Sequence, residues 1–146
     1  MSIWFRNFAL EELNQLGHGT LVAHLDIRVV EIGPDYLVGT MPVDHRTQQN
    51  YGILHGGASV ALAETLASIG ANMCVDPERF RCVGQEINAN HLRPATQGRV
   101  TAITRPLHIG SRTQVWEIRL TDERERLTCM SRLTMFAMNV AKNHAL

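Results

Sequence analysis

The sequence predicts an α+β fold: a six-stranded, mostly antiparallel sheet wrapped around one long central helix. Three observations predict it. The run from Gly57 to Cys74 is almost wholly Ala, Val, Leu, Ile, Ser, Gly and Met, with Glu64 its only ionisable side chain apart from the Cys74 thiol. A helix apolar nearly all round must be covered on most sides. The rest of the chain reads as β-rich segments separated by glycine and proline turns, with at least one clear period-two alternation. The order is short helix, two strands, long helix, four strands, and a sheet of this kind can enclose the helix.

Each element has its own signal. Ala9 to Leu16 reads as a short helix, with Leu10, Leu13 and Leu16 three apart and Glu11 and Glu12 near its start. Gly17-His18-Gly19 ends it. Ala23 to Ile32 is apolar and β-branched and reads as the first strand. Gly33-Pro34-Asp35 is a turn, and Tyr36 to Val43 returns as the second strand of a hairpin. Asp44 to Asn50 is a polar loop leading to His55 and the long helix. Arg81 to Leu92 is the third strand, Pro94 to Gly98 a turn, and Arg99 to Leu107 the fourth strand. His108 to Arg112 is a second glycine turn. Val115, Glu117 and Arg119 then alternate with Trp116, Ile118 and Leu120 in a fifth strand. Thr121 to Glu125 turns the chain into Arg126 to Met138, the last strand. The reading joins the last four strands by hairpins, and the tail from Val140 to Leu146 reads as frayed.

Bulk composition narrows the class. The 146 residues suit one domain, 1–146, with a sizeable core. Fourteen Lys+Arg balance fourteen Asp+Glu, which argues against a general nucleic-acid binder. Hydrophobic residues make up 45% and charged residues 19%, a globular rather than a disordered balance. No apolar window reaches membrane-span length, and Met1 to Phe8 lacks a signal-peptide pattern, so the expected compartment is the cytoplasm. Cys74, Cys82 and Cys129 are odd in number and widely spaced, which suggests buried thiols rather than a disulfide framework or a zinc site.

Glu64 is the residue with the clearest chemical promise. A carboxylate inside a buried helix is costly unless it is paired, hydrogen-bonded or used. Gly56 and Gly57 stand two turns earlier, where first-turn amides lack intrahelical partners and point along the positive end of the helix dipole. A lone Gly-Gly pair is weak evidence for a ligand site, since it also suits a tight turn. Other chemistries find no support. Ser59 lacks the second glycine of a nucleophile elbow. Gly17-His18-Gly19 lacks the third glycine of a dinucleotide loop. The seven histidines show no metal-ligand spacing, so no metal is expected.

Motifs in one consistent order then identify a resemblance. Met41-Pro-Val-Asp-His-Arg-Thr-Gln-Gln49, Tyr51-Gly-Ile-Leu-His55-Gly-Gly-Ala-Ser and Ala63-Glu64 come first. Gly84-Gln-Glu-Ile-Asn-Ala-Asn-His91-Leu-Arg93, Pro106-Leu-His108-Ile-Gly110-Ser111-Arg112 and Gln114-Val-Trp116 follow, with Leu13-Asn14 and His24-Leu-Asp-Ile27 upstream. Together they resemble the hotdog-fold acyl-CoA thioesterases of the phenylacetate and 4-hydroxybenzoyl-CoA type, over nearly the whole chain from Ile3 to Met138. The resemblance is strongest to the branch holding 1,4-dihydroxy-2-naphthoyl-CoA hydrolases of menaquinone synthesis and proofreading thioesterases of enterobactin synthesis.

The resemblance implies hydrolysis of an acyl-CoA thioester, with an aromatic acyl group favoured. It implies Glu64 as general base or nucleophile and the Gly56 N–H as the donor that polarises the carbonyl. It implies that Gln49 orients water or thioester. His55 would hold the loop or line the site, and Ser68, four residues after Glu64, would share its face. CoA would meet Gly84, the strand end His91-Leu92-Arg93-Pro94 and the turn His108-Ile109-Gly110-Ser111-Arg112-Thr113. Arg105 and Arg119 read as surface residues. No cofactor is implied, because CoA is part of the substrate. Gly56 and Glu64 lie about 12 Å apart along one helix, so a second subunit is expected to complete the site, in a homodimer and, by the branch, a homotetramer. Two alternatives stand beside this reading: a thioesterase acting on an acyl carrier protein, and a non-catalytic acyl-CoA-binding module.

Overall fold

Alternation along a single strand decides where the core lies. Trp116, Ile118 and Leu120 are wholly buried, while Val115, Glu117 and Arg119 between them face outward. The computed structural model describes residues 1–140, so the tail from 141 onward lies outside the described residues. Within them, α1 spans Leu10–Gln15, α2 Leu21–His24, β1 Arg28–Ile32, β2 Leu37–Pro42, α3 Gly56–Met73, β3 Phe80–His91, β4 Arg99–Ile109, β5 Thr113–Thr121 and β6 Leu127–Asn139. The six strands form one antiparallel sheet in the order β1-β2-β4-β5-β6-β3, with α3 packed on its inner face. No helix among the described residues is long and apolar enough to cross a membrane.

Three expectations need correction. Ala23 to Ile32 is not one strand. Thr20 caps a helical turn there: its Oγ1 accepts from the Val22 amide at 3.2 Å, and its hydroxyl donates to the Gly17 carbonyl at 2.7 Å. Asp26, at φ 52°, then redirects the chain into β1. β3 and β4 are not a hairpin. β3 pairs with β6, from Phe80 opposite Asn139 to His91 opposite Cys129. The segment Pro94 to Gly98 therefore crosses from the sheet edge to its middle. It is held there because Ala95 and Gly98 carbonyls accept from the Leu54 and Val43 amides at 2.8 Å each. Finally, His108 and Ile109 belong to β4, and the turn is only Gly110 to Arg112.

α3 is less enclosed than its composition suggests. Its buried residues are Ser59, Leu62, Ala63, Leu66, Ala67, Gly70, Ala71 and Met73, a stripe of period three to four that lies on the sheet. The opposite side, Glu64, Thr65, Ser68 and Ile69 included, is half-buried. Leu62 and Leu66 are fully buried, and each such side chain contributes roughly 1.5–3 kcal/mol. Gly70 lets the helix lie close on the sheet, since a methyl there would lie 3.0 Å from the Trp116 ring. Trp4 stacks on Trp116 with centroids 6.3 Å apart and donates its indole N–H to the Gly33 carbonyl at 2.7 Å.

Two asparagines tie helices to strands in the same way. The Asn72 carboxamide accepts from the Cys82 amide at 2.9 Å and donates to the Cys82 carbonyl at 3.0 Å and the Ser68 carbonyl at 2.9 Å. Asn14 accepts from the Val29 amide at 2.9 Å and donates to the Val29 carbonyl at 2.9 Å and the Leu10 carbonyl at 3.0 Å. Each carboxamide stands in for a neighbouring strand at one residue while closing on its own helix four residues back.

Candidate active site

The start of α3 is built to leave one amide unused. His55 is the N-cap, with extended backbone at φ −66° and ψ 131°. Its Nδ1 accepts from the Gly57 amide at 2.8 Å, so a neutral ring carries its proton on Nε2. Its carbonyl accepts from Ala58 at 2.9 Å and Ser59 at 3.2 Å. Three of the four first-turn donors are thereby satisfied, and the Gly56 N–H has no partner among the described residues. The loop before it is pinned by the His55 amide on the Thr47 carbonyl at 2.8 Å and the Thr47 hydroxyl on the Pro42 carbonyl at 2.7 Å. Arg46 bridges Asp44 at 2.6 Å and, through its side chain and then its amide, holds that carboxyl well below the usual range.

Gln49 and His91 share a cleft of about 410 Å³ with Gly56, Ser59 and the segment Leu92, Arg93 and Pro94. Gln49 lines the cleft, and its Oε1 accepts from the Tyr51 amide, which leaves its amide hydrogens unengaged among the described residues. The His91 ring lies over Gly56 so closely that a methyl at Gly56 would meet its Nε2 at 2.8 Å. A side chain here would have to push the exposed His91 ring aside, so glycine keeps both the ring and the approach to the amide in place.

Glu64 opens onto a different cleft, of about 350 Å³, walled by α1 and β1 and lined by Leu13, Asn14, Val29, Ser68 and Ile69 among others. Its carboxylate has no hydrogen-bond partner among the described residues and is half-buried rather than enclosed. Ser68 shares its face, as expected, but its hydroxyl donates to the Met135 Sδ at 3.7 Å and not to the carboxylate. Gly84 is the point where β3 meets Glu64: a methyl there would fall 2.5 Å from Glu64 Oε1. That places Gly84 behind the carboxylate, a role the motif reading, which gave it to CoA, did not contain.

The remaining predicted contacts are divided as well. Ser111 and Arg112 line a third, apolar cleft with Phe80, Phe136 and Met138. His108, Ile109, Gly110 and Thr113 flank that turn, where the Gly110 amide donates to the Thr113 carbonyl at 2.9 Å. Arg105, expected to be a plain surface residue, ion-pairs with Asp35 at 2.7 Å and lies over the Tyr36 ring. One chain therefore brings Gly56, Gln49 and the His91–Pro94 segment together, but leaves Glu64 in a second cleft and Arg112 in a third. Among the described residues no cluster of three or more potential metal ligands gathers. The two asparagine clamps went unread in the sequence. Their visible traces were the Leu13-Asn14 pair, read only as part of a motif, and a lone carboxamide, Asn72, in the apolar run of α3.

Known proteins match this chain closely. The thioesterase superfamily model matches residues 51–129. The 1,4-dihydroxy-2-naphthoyl-CoA hydrolase of Escherichia coli is 54% identical over 132 residues, 90% of this chain and 96% of the relative. The proofreading thioesterase EntH of Cronobacter turicensis is 48% identical, over 93% and 98% of the two chains. A crystal structure of a Haemophilus influenzae thioesterase superposes with a TM-score of 0.94 at 46% identity, covering 98% of this chain and 99% of the other.

Proposed function

The chain belongs to the thioesterase superfamily, the hotdog-fold family, and is a hydrolase of acyl-CoA thioesters; from that premise we propose that it is a cytoplasmic enzyme acting on an aromatic acyl-CoA, of the 1,4-dihydroxy-2-naphthoyl or hydroxybenzoyl type, releasing the free acid and CoA. One observation carries the mechanism. The only unpartnered first-turn amide, at Gly56, and the unpartnered carboxylate of Glu64 lie on the same helix but open onto different clefts. Each is half of a hydrolytic site. Two copies of α3 packed antiparallel would bring one protomer's Gly56 opposite its partner's carboxylate.

In that arrangement the thioester carbonyl accepts from the Gly56 N–H at the dipole's positive end, and the Gln49 amide holds the water or the carbonyl. His55 keeps the donor free by satisfying the neighbouring amides itself. Glu64 from the other copy takes a proton from water as the water oxygen adds to the carbonyl carbon. The C–S bond then breaks, its electron pair leaves with sulfur, and the proton passes from Glu64 to the thiolate. In the direct alternative the carboxylate attacks that carbon and the thiolate leaves from an acyl–Glu64 anhydride. Water then cleaves the anhydride, its oxygen going to the free acid and its proton to the thiolate. Ser68 lines the acyl side. CoA is held by the His91–Pro94 strand end and by the His108–Thr113 turn, whose Arg112 suits a phosphate. The half-buried outer side of α3 and the outer edge of β3, which no other described strand covers and which Asn72 engages at Cys82, support a dimer, and a tetramer built from two such dimers is the expected assembly.

Glu64→Ala tests this. Thiol release from benzoyl-CoA is expected to fall by about 10²–10⁴-fold, with binding of the CoA thioester retained. Unchanged turnover would sink the assignment. The 48% identity to a proofreading thioesterase favours a second reading, with an acyl group on a carrier protein. A carrier lacks the CoA nucleotide, so Arg112→Ala should weaken CoA substrates more than carrier-bound ones. Equal losses would remove Arg112 from nucleotide binding.

A further inference from the structure

The cleft beside Glu64 has one wall that cannot stand alone. α3 supplies its floor through Glu64, Thr65, Ser68 and Ile69, while α1 supplies the facing wall through Leu13, Asn14 and Leu16. α1 has six residues and no side-chain cap at Ala9. An isolated helix so short does not persist in water, so its place must come from tertiary contacts. Leu13 is one, at 2% exposure, but Leu16 at the rim is 67% exposed and anchors little. The exposed Arg6–Glu12 pair adds little either. The directional hold is Asn14. Its carboxamide takes both polar groups of Val29 on the outer edge of β1 and closes on the Leu10 carbonyl. Three hydrogen bonds from one side chain fix both the distance of α1 from β1 and its rotation, and so the position of the wall.

We propose that Asn14 is a specificity-determining positioning residue: by fastening α1 to β1 it fixes the depth of the acyl cleft beside Glu64, favouring a flat ring over a long flexible chain. This rests on the reading that an aromatic acyl group lies beside Glu64. The cleft holds about 350 Å³ with a mainly apolar lining, relieved by Asn14, Glu64, Thr65 and Ser68, which suits a ring system carrying a few polar groups. Releasing α1 frees the wall on the side where Leu16 already meets solvent. The ring then loses its facing surface, whereas a long chain gains room along α1. Asn14 itself need touch no substrate.

The test is steady-state kinetics of the full chain with benzoyl-CoA, 4-hydroxybenzoyl-CoA, decanoyl-CoA and lauroyl-CoA, below the unfolding temperature of every variant. In Asn14→Ala the ratio of kcat/KM for aryl over lauroyl substrates should fall by about tenfold or more, chiefly through a raised KM for the aryl groups. Asn14→Asp keeps the acceptor for the Val29 amide but loses both donations, so it should fall between wild type and Asn14→Ala. It also serves if the alanine variant does not fold. An equal fractional loss on all four substrates, or an unchanged ratio, makes Asn14 merely structural and overturns the proposal. A wild type that itself prefers lauroyl-CoA overturns the aromatic reading beneath it, before any variant is made.

Discussion

Gly84→Ala separates chemistry from stability with one methyl group. Gly84 sits in β3 opposite Met135, at the bulge before Glu86. A Cβ there would lie 2.5 Å from Glu64 Oε1, 3.6 Å from its carboxyl carbon and 3.8 Å from Leu133 Cδ1. A carbon and an oxygen settle at about 3.3–3.6 Å, so the carboxylate must withdraw by about 1 Å. The strand need not move, because the clashing atom is the end of a rotatable side chain. A misplacement of that size at a reacting group costs about 10²-fold, or about 2.7 kcal/mol at 1.36 kcal/mol per decade. The expected result is a fall of about that size in kcat, read by thiol release from benzoyl-CoA, with the thermal unfolding temperature unchanged or raised, since glycine weakens a strand interior. The double variant Gly84→Ala/Glu64→Asp should lose less than the product of the two single losses, because the shorter carboxylate has already withdrawn. A kcat within twofold of wild type would refute the placement of Glu64 against β3. A joint fall in kcat and unfolding temperature would mean that the strand, not the carboxylate, gave way.

Gly70→Ala should destabilise the fold by about 1–3 kcal/mol in urea titration, because the new methyl would sit 3.0 Å from the Trp116 ring, which is wholly buried beneath Trp4 and has little room to retreat; a more stable variant would show that helix propensity outweighs the contact. Burial raises the Asp26 carboxyl, but hydrogen bonds from Arg99 and then Arg28 outweigh it and leave it lowered. Its contribution to stability is thus complete above about pH 4, near the unfolded value, and is lost as pH falls through the lower folded value. The stability gap between wild type and Asp26→Asn should therefore be open at pH 7 and close in acid; a gap constant down to pH 2 would refute the pairing. Burial pushes the Cys74 thiol up to about 12 and Cys82 up to about 11. Iodoacetamide at pH 8 should modify neither quickly until the protein is unfolded, and rapid labelling of Cys82 in the native state would contradict its burial.

Local signals explain why so much was legible. The alternation of Trp116, Ile118 and Leu120 depends only on strand period, and the capped apolar run from Gly56 needs only helix geometry. Glu64 and Gly56 stood out because a charge and a bare backbone are each conspicuous in an apolar helix. What escaped was non-local. The run Ala23 to Ile27 looks like a strand until Thr20 is seen capping it. No property of Pro94 to Gly98 reveals that β3 has gone to the far edge of the sheet, because the partner that takes it there, β6, lies about forty residues later. The contacts of Gly84 with Glu64 and of Asn14 with Val29 join residues 20 and 15 apart in sequence through the fold alone.

The pairing of β3 with β6 also governs when the protein can exist at all. During synthesis, β1 and β2 can pair as soon as they emerge, and β4 and β5 can join them in turn. β3 is made before either of these, yet it finds hydrogen bonds only when Leu127–Asn139 leaves the ribosome. Until then twelve residues of strand, and the flank of α3 that they cover through Cys82 and Gly84, wait unprotected. Non-local pairing of this kind slows folding and exposes sticky strand to its neighbours. The last strand to be translated is thus the one that seals the molecule, and a nascent chain cut short before it carries every proposed catalytic side chain but has no closed sheet to hold them.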